Sequence, residues 1–478
     1  MSLLKLVIKN SFLYAIPTVL TRGINFFSAL LYTLFLTPAE YGSFEIYVLT
    51  VSILAIIITL DISSAVGRLF SESNEKEKKL IFNTAFYAIL FFGVFITLAI
   101  NEYLLIYIFK EINYSLALMA VLNIFVYAIY YFLKMQFRWS FQETKYIFVV
   151  TSTSSLMILI AALGLIFYEQ SIEVVIFANL CAHIYGVVVS IILHRKLFAP
   201  IFEFRYFKIL ITFSTPLIPA ALIAVSLMFV DRIMIDYYMG IDSVGVYSLG
   251  VRFSGLALIC YIGVDLSMSP ILYSSHKNKE AKLMLARIFR IFIFIAPIAI
   301  GSILFFTNSY FMVFEKQEFI KIKDFLMPLI LASLITQSHL FFPGLWIAKK
   351  TYIFFILSLS AFFINIILNY FWINLYGLQG AGFSSLVSYL FLTIVNGILS
   401  QIYYPVDHSF KKIFTYSFFS ITVTYLFFYL VDKTEIASII IGYFALLLYV
   451  ISIAYFLNII NLSDFRKFKA TIKSKFNT

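Results

Sequence analysis

The stretch TPAEYGSFEIYVL, residues 37–49, resembles the stretch GIDSVGVYSLGVR, residues 240–252, in the second half of the chain. Gly42 aligns with Gly245 when the two stretches are superposed. Each stretch opens a long apolar segment, and each of those segments is followed by a basic loop. The sequence therefore predicts an internal repeat, and the fold has to be built from two similar halves.

The composition around this repeat is that of a membrane protein. Of the 478 residues, 62% are hydrophobic and 12% are charged, whereas a soluble domain holds about 25% charged residues. The apolar segments are much longer than the roughly 10-residue strands of a transmembrane barrel. We therefore predict an all-α polytopic membrane protein with about fourteen transmembrane helices.

The distribution of basic residues predicts the orientation. With the N-terminus in the cytoplasm, the predicted inside segments hold 27 Lys and Arg residues and the outside loops hold 6. This bias places the N and C termini in the cytoplasm. Topology and attraction to anionic lipid account for the net charge of +11, so we predict no nucleic-acid partner.

The repeat predicts how the chain is divided. An even number of predicted helices separates the two copies, so both halves have the same orientation in the membrane. We predict a first six-helix bundle over residues 1–200 and a second over residues 201–403. Residues 404–478 form two additional helices and a basic cytoplasmic tail. Two parallel bundles indicate a transporter with a central cavity that opens alternately to each side.

Three stretches resemble the bacterial polysaccharide flippases, which belong to the multidrug/oligosaccharidyl-lipid/polysaccharide exporter superfamily. They are TPAEYGSFEIYVLTVSIL (37–54), FVDRIMIDYYMGIDSVGVYSLGVRFS (229–254) and LYGLQGAGFSSLVSYL (375–390). The resemblance implies movement of an undecaprenyl-pyrophosphate-linked oligosaccharide across the membrane, for O-antigen, capsule or a related polymer. It also implies no cofactor, coupling to a Na⁺ or H⁺ gradient, and contact with membrane lipids, a polysaccharide polymerase and a chain-length regulator.

A charged residue in the first apolar segment fits such a substrate. The segment SFLYAIPTVLTRGINFFSALLYTLFL, residues 11–36, carries Arg22 near its middle. A central arginine costs about 2.5–3.5 kcal/mol on insertion scales, so it needs a wet cavity or a partner. Either Arg22 faces the substrate, where its planar fork suits phosphate oxygens, or it pairs with a buried carboxylate. We place Asn25 with it among the candidate cavity residues.

Three further residues are candidates for substrate contact. Arg252 lies inside the eighth predicted helix, where it either contacts substrate or extends to the membrane surface. Asn365 and Asn369 are four residues apart and share one helical face. Their amides either donate to sugar hydroxyls or tie neighbouring helices together.

Five charged residues are candidates for gating or ion coupling. Asp61 and Asp265 occupy nearly matching places in the two copies and could pair with arginines, gate the inner mouth or bind a coupling cation. Arg68 shares a helical face with Asp61 if that helix continues, which predicts an ion pair. Asp231 and Arg232 lie at the end of the seventh predicted helix and form either connector structure or an outer gate.

Other functions are weighed against this one. A multidrug antiporter of the same superfamily would need an acidic cavity for cationic drugs, and a lipid II flippase gathers several arginines in its first half. A membrane enzyme such as a polysaccharide polymerase would need a large outside loop, and no predicted loop is large enough. We therefore predict a transporter and not an enzyme, with no catalytic residues and no metal site.

Overall fold

The computed structural model describes residues 20, 22–107, 114–140, 142–259, 261, 279–430, 436–457 and 459, and every regular element in these residues is a helix. Ten of the described helices are long and apolar enough to cross a membrane, or eleven if the bent pair Phe204–Leu217 and Ala221–Met239 is one span. The all-helical, multi-pass architecture is confirmed. The total of fourteen helices and the orientation of the termini stay predictions.

The helices form two compact units, Leu20–Ser248 and the described residues from Leu249 onward. The predicted boundaries at residues 200 and 403 stay predictions. The helices that begin in the first unit are α1 (22–35), α2 (Pro38–Thr59), α3 (Ile62–Glu72), α4 (Glu75–Tyr107), α5 (Tyr114–Trp139), α6 (Glu143–Phe167), α7 (Ile172–His194), α8 (Phe204–Ser214), α9 (Ile218–Met239) and α10 (Ile241–Gly255).

In the second unit the described helices after the end of α10 are α11 (Lys279–Phe314), α12 (Ile322–Thr336), α13 (Gly344–Ile347), α14 (Thr351–Tyr376), α15 (Leu378–Tyr403), α16 (Phe410–Leu430) and α17 (Ile436–Phe456). Helices α12 and α14 pack against α15, whereas α16 and α17 pack against α11. A cluster that includes Phe305, Tyr416 and Leu446 fills the contact made by α16 and α17.

Helix α2 begins where the repeated motif begins, because its first residues cap it. The Thr37 hydroxyl accepts from the Glu40 amide at 3.3 Å, and the Glu40 carboxylate accepts from the Thr37 amide at 2.9 Å. This reciprocal pair is a capping box, and Pro38 occupies the first helical position, where its missing N–H is not needed. The sequence TPAE therefore fixes the start of α2 and the register of the residues that follow.

The end of α2 is equally sharp. Leu60 and Asp61 both adopt a left-handed backbone with φ of 48°, which costs roughly 1–2 kcal/mol for a residue other than glycine. The helix stops there and α3 starts a new helix at Ile62. Asp61 and Arg68 therefore do not share the face of one continuous helix, which was the condition for pairing them.

The two aligned glycines of the repeat lie in contact with each other's helix. A Cβ atom built on Gly42 would lie 2.2 Å from the Ile241 carbonyl oxygen, and one on Gly245 would lie 1.9 Å from the Pro38 carbonyl oxygen. Pro38 and Ile241 are themselves aligned positions of the repeat. The contact is therefore reciprocal, as expected where two similar segments meet about an approximate twofold axis. Any side chain larger than hydrogen would separate the helices.

We expect Gly42→Ala and Gly245→Ala each to destabilise the protein by about 1–3 kcal/mol or more, because the new methyl group meets backbone oxygen that cannot move aside. Gly255→Ala is the matched control, since a Cβ atom there has nothing within 4 Å. Thermal unfolding in one detergent compares the three variants. Equal melting temperatures for all three would contradict the close approach of α2 and α10.

Candidate functional site

The predicted cavity residues near the start of the chain lie on α1. Part of the Arg22 side chain is accessible, and Asn25 is exposed. The Asn25 carbonyl accepts from the Ser28 hydroxyl at 2.8 Å. Arg252 lies near the end of α10, and it too is partly accessible. The substrate contacts of both arginines stay predictions.

Asn365 and Asn369 lie elsewhere, in the seam between α14 and α15. They are 1% and 0% exposed, and the Asn369 side-chain amide donates to the Asn365 side-chain oxygen at 3.0 Å. The buried positions of α14 recur every four residues and include both asparagines. The hydrogen bond joins two residues of the same helix, so whether these amides contact sugar hydroxyls or tie neighbouring helices together stays open.

The predicted gating residues of the first copy lie at the break between α2 and α3. Burial raises the pKa of the Asp61 carboxyl group, and a hydrogen bond from the Ser64 hydroxyl at 3.0 Å partly offsets this. The Ser214 hydroxyl donates to the Asp61 carbonyl at 3.4 Å. The Arg68 guanidinium group lies 4.9 Å from the centre of the Phe213 ring. Both residues therefore connect the break to α8.

Asp265 of the second copy lies outside the described residues, so its relation to Asp61 stays a prediction. No group of three or more His, Cys, Asp or Glu side chains in the described ranges could hold a metal ion.

Asp231 and Arg232 lie in a buried polar cluster between α2, α9 and α10. Arg232 is 4% exposed, Asp231 is 6% exposed and Glu45 of α2 is 1% exposed. An Arg232 side-chain nitrogen, Nη2, lies 3.8 Å from Oε2 of Glu45, and its Nε donates to the Ser248 hydroxyl at 2.8 Å. We name Tyr41, Glu45, Asp231, Arg232, Tyr247 and Ser248 the Arg232 cluster.

Two tyrosines complete the cluster by donating to its carboxylates. The Tyr41 hydroxyl donates to Glu45 at 3.0 Å, and the Tyr247 hydroxyl donates to Asp231 at 2.8 Å. The Arg232 guanidinium also lies 4.8 Å from the centre of the Phe229 ring. Charges removed from water are tolerated only with such partners, because each ion carries a desolvation penalty of several kcal/mol.

The repeat explains why two helices meet at Arg232. Glu45 is three residues after Gly42, and Ser248 is three residues after Gly245, so each lies on the same helix face as its glycine. The close glycine contact therefore brings two equivalent positions of the repeat to one guanidinium group. The sequence predicted a role for Asp231 and Arg232 but not for Glu45. An acidic residue within an apolar helix was the signal that could have identified it.

We expect Arg232→Met to destabilise the protein by about 3–5 kcal/mol, because it leaves buried carboxylates without their cation. Adding Glu45→Gln should recover part of the loss, with a coupling energy of about 0.5–3 kcal/mol. Unfolding of the two single variants and the double variant measures this coupling. Arg205→Met, at an exposed arginine, is the control. Strictly additive effects of the two substitutions would rule out the ion pair as a stabilising contact.

Comparison with solved structures identifies the fold. The lipid II flippase MurJ in an inward closed conformation matches with a TM-score of 0.69 and 16% identity, over 93% of this chain and 99% of MurJ. An inward-facing multidrug resistance transporter of the MATE family, from the MOP superfamily, matches with a TM-score of 0.64 and 14% identity, over 79% of this chain and 93% of that one. At these identities the likeness shows a shared fold alone.

A third solved structure has the same fold. It is a MOP superfamily transporter from Pyrococcus furiosus, with a TM-score of 0.60 and 13% identity, over 83% of this chain and 95% of that one. The comparison with curated proteins finds no match.

The family is given by the sequence. The model of the family described as polysaccharide biosynthesis protein matches residues 7–276, which is more than half of the chain and includes both copies of the repeated motif. The resemblance noted from the motifs is confirmed. The chain belongs to the polysaccharide biosynthesis protein family.

Proposed function

We propose that this protein is a flippase that moves a lipid-linked oligosaccharide, with an undecaprenyl pyrophosphate carrier, from the inner to the outer leaflet of the bacterial cytoplasmic membrane. The sugars then serve O-antigen, capsule or a related surface polysaccharide. The observation that carries the proposal is the combination of a polysaccharide biosynthesis family with a transporter fold. Because the chain has a multi-pass fold and no predicted catalytic loop, we infer that its role in polysaccharide biosynthesis is to transport an intermediate across the membrane.

The charge of the candidate cavity agrees with an anionic head group. Arg22 and Arg252 are cations within apolar helices, and both are partly accessible. Such residues are retained in membrane helices when they serve a polar pathway. Cationic drugs, by contrast, would be repelled by these two side chains. We therefore favour the oligosaccharide substrate over the drugs carried by multidrug transporters of similar fold.

The mechanism we propose is alternating access. Helix α2 belongs to the first predicted bundle, and α9 and α10 belong to the second, so the Arg232 cluster is a candidate gate between the predicted bundles. Its hydrogen bonds and ion pair can hold one state closed, and a substrate can open it only by binding the open state more tightly. We propose a Na⁺ or H⁺ gradient as the energy source and a polysaccharide polymerase and chain-length regulator as neighbours.

The proposal is tested by locating the lipid-linked oligosaccharide in each leaflet of cells that lack this gene. A probe that reaches only the outer face should detect little of it, and the wild-type gene should restore the signal. We expect Arg22→Ala to restore much less, because the pyrophosphate loses a charged partner worth roughly 1.5–3 kcal/mol. Arg195→Ala, at an exposed arginine, should restore it fully.

All variants must reach the membrane in equal amounts for the comparison to hold. An oligosaccharide that is already outside but unpolymerised in the deletion strain would refute the flippase and favour a polymerase. Full restoration by Arg22→Ala would keep the flippase and remove Arg22 from the substrate path.

A further inference from the structure

A lysine in the first unit lies over three aromatic rings. The Nζ atom of Lys134 is 5.4 Å from the ring centre of Tyr127, 4.8 Å from that of Tyr130 and 5.3 Å from that of Tyr131. The tyrosines precede the lysine by seven, four and three residues, so all four share one face of α5. We name these four residues the Lys134–tyrosine cluster.

Neighbouring helices hold the rings in place. The His183 ring of α7 lies 4.9 Å from Tyr127 and 5.5 Å from Tyr130, and its Nδ1 is hydrogen-bonded to the Asn123 side chain at 2.7 Å. Gly186 leaves the space that Tyr130 fills, since a Cβ atom there would lie 2.6 Å from the ring. The cluster is therefore preorganised, which lowers the entropy lost when something binds to it.

The charge of Lys134 is not neutralised by the rings. Aromatic faces attract an ammonium group by about 0.5–2 kcal/mol but carry no net charge. Within the described part of the chain, no carboxylate forms an ion pair with Lys134 and no oxygen accepts from its three N–H donors. Another cation, Arg138, lies one turn further along α5 on the same face. The Lys134 side chain is partly accessible, and among the described residues no oxygen is hydrogen-bonded to its ammonium N–H groups.

The tyrosine hydroxyls extend this chemistry. The Tyr127 and Tyr131 hydroxyls have no protein hydrogen-bond partner among the described residues. Asp61 and Arg138 are both close enough to Tyr131 for their charges to act on its hydroxyl. A hydroxyl both donates and accepts, as a sugar hydroxyl does, and an ammonium group only donates. The cluster thus offers a cation beside the Tyr127 and Tyr131 hydroxyls, all three partly accessible, whereas the Tyr130 ring is buried.

We propose that the Lys134–tyrosine cluster binds an oxyanion attached to a sugar, as in a sugar phosphate or a sugar carboxylate. The oxyanion accepts from Lys134, and the sugar exchanges hydrogen bonds with the Tyr127 and Tyr131 hydroxyls. Cationic compounds are excluded, because Lys134 already occupies the aromatic faces that would attract them. The site rests on the proposed function, in which it contacts the acidic head of the lipid-linked oligosaccharide.

The test is direct binding to the purified full chain in lipid nanodiscs, by calorimetry, with glucose 1-phosphate, glucuronic acid and neutral glucose as probes. We expect one or both acids to bind and glucose to bind at least tenfold more weakly. Lys134→Met should lower the binding affinity for the acidic probe roughly tenfold or more, because it removes a charge-assisted hydrogen bond. Lys134→Arg keeps the charge but changes the shape of the cationic group, so it should retain more affinity for the acid than Lys134→Met does.

The matched control is Lys350→Met. Lys350 also lies over a tyrosine ring, 4.4 Å from the centre of Tyr403, but its ammonium group donates to the Tyr403 hydroxyl at 2.9 Å. We expect this variant to bind the acids as wild type does. Tyr131→Phe should lower the affinity for glucose 1-phosphate and leave the affinity for inorganic phosphate unchanged, because inorganic phosphate has no sugar for the Tyr131 hydroxyl to contact. This variant keeps the test available if Lys134→Met does not fold.

The two acids distinguish the source of the oxyanion. Tighter binding of glucose 1-phosphate would assign the cluster to the phosphate end of the head group. Tighter binding of glucuronic acid would assign it to an acidic sugar. Unchanged affinity in Lys134→Met, equal losses in Lys350→Met, or no acid binding by wild type would each overturn the proposal. Acid binding that depends on Lys134, without any leaflet transfer, would keep this site and refute the flippase.

Discussion

The close approach of two glycines is the constraint on which the rest of the described junction depends. Gly42 and Gly245 each face a carbonyl oxygen of the opposite helix at a distance no Cβ atom allows. Because Glu45 and Ser248 follow these glycines by one helical turn, the same approach carries them to Arg232. A wider separation of the helices would leave the guanidinium group buried without these partners. The ion pair and the hydrogen bond of Arg232 therefore depend on the close packing of the two glycines.

The same constraint suits a protein that must change shape. Packed interfaces change between discrete arrangements and do not deform continuously, and buried ion pairs and hydrogen bonds are either formed or exchanged for water. Opening the Arg232 cluster would hydrate three charged side chains and so offset part of the lost contact energy.

Much of this could be predicted from the sequence, for identifiable reasons. The length of the apolar segments gave the helical membrane fold, and the spacing of the repeat gave the alignment of Gly42 with Gly245. The pairing of Asp61 with Arg68 assumed a continuous helix, which two left-handed residues interrupt. The local sequence LDI, residues 60–62, contains no glycine or proline that would have predicted this break. The role of Glu45 depends on Arg232, far away in the chain, and only the folded structure brings the two together.

The Lys134–tyrosine cluster shows the opposite case. Its spacing is visible in the sequence YAIYYFLK, residues 127–134, yet a stripe of tyrosines in a membrane helix usually indicates packing. The missing information was the absence of a carboxylate beside the lysine in the described structure, which depends on how α5, α6 and α7 pack.

The most direct test of the central claim is the distance between α2 and α10 during transport. Spin labels at Ser43 and Ser243, in a chain with Cys181→Ser and Cys260→Ser, report this distance by double electron–electron resonance in nanodiscs. We predict a short distance in the resting protein and a second, longer population when purified lipid-linked oligosaccharide is added. A single unchanged distance, in a preparation that moves the lipid between leaflets, would contradict the account.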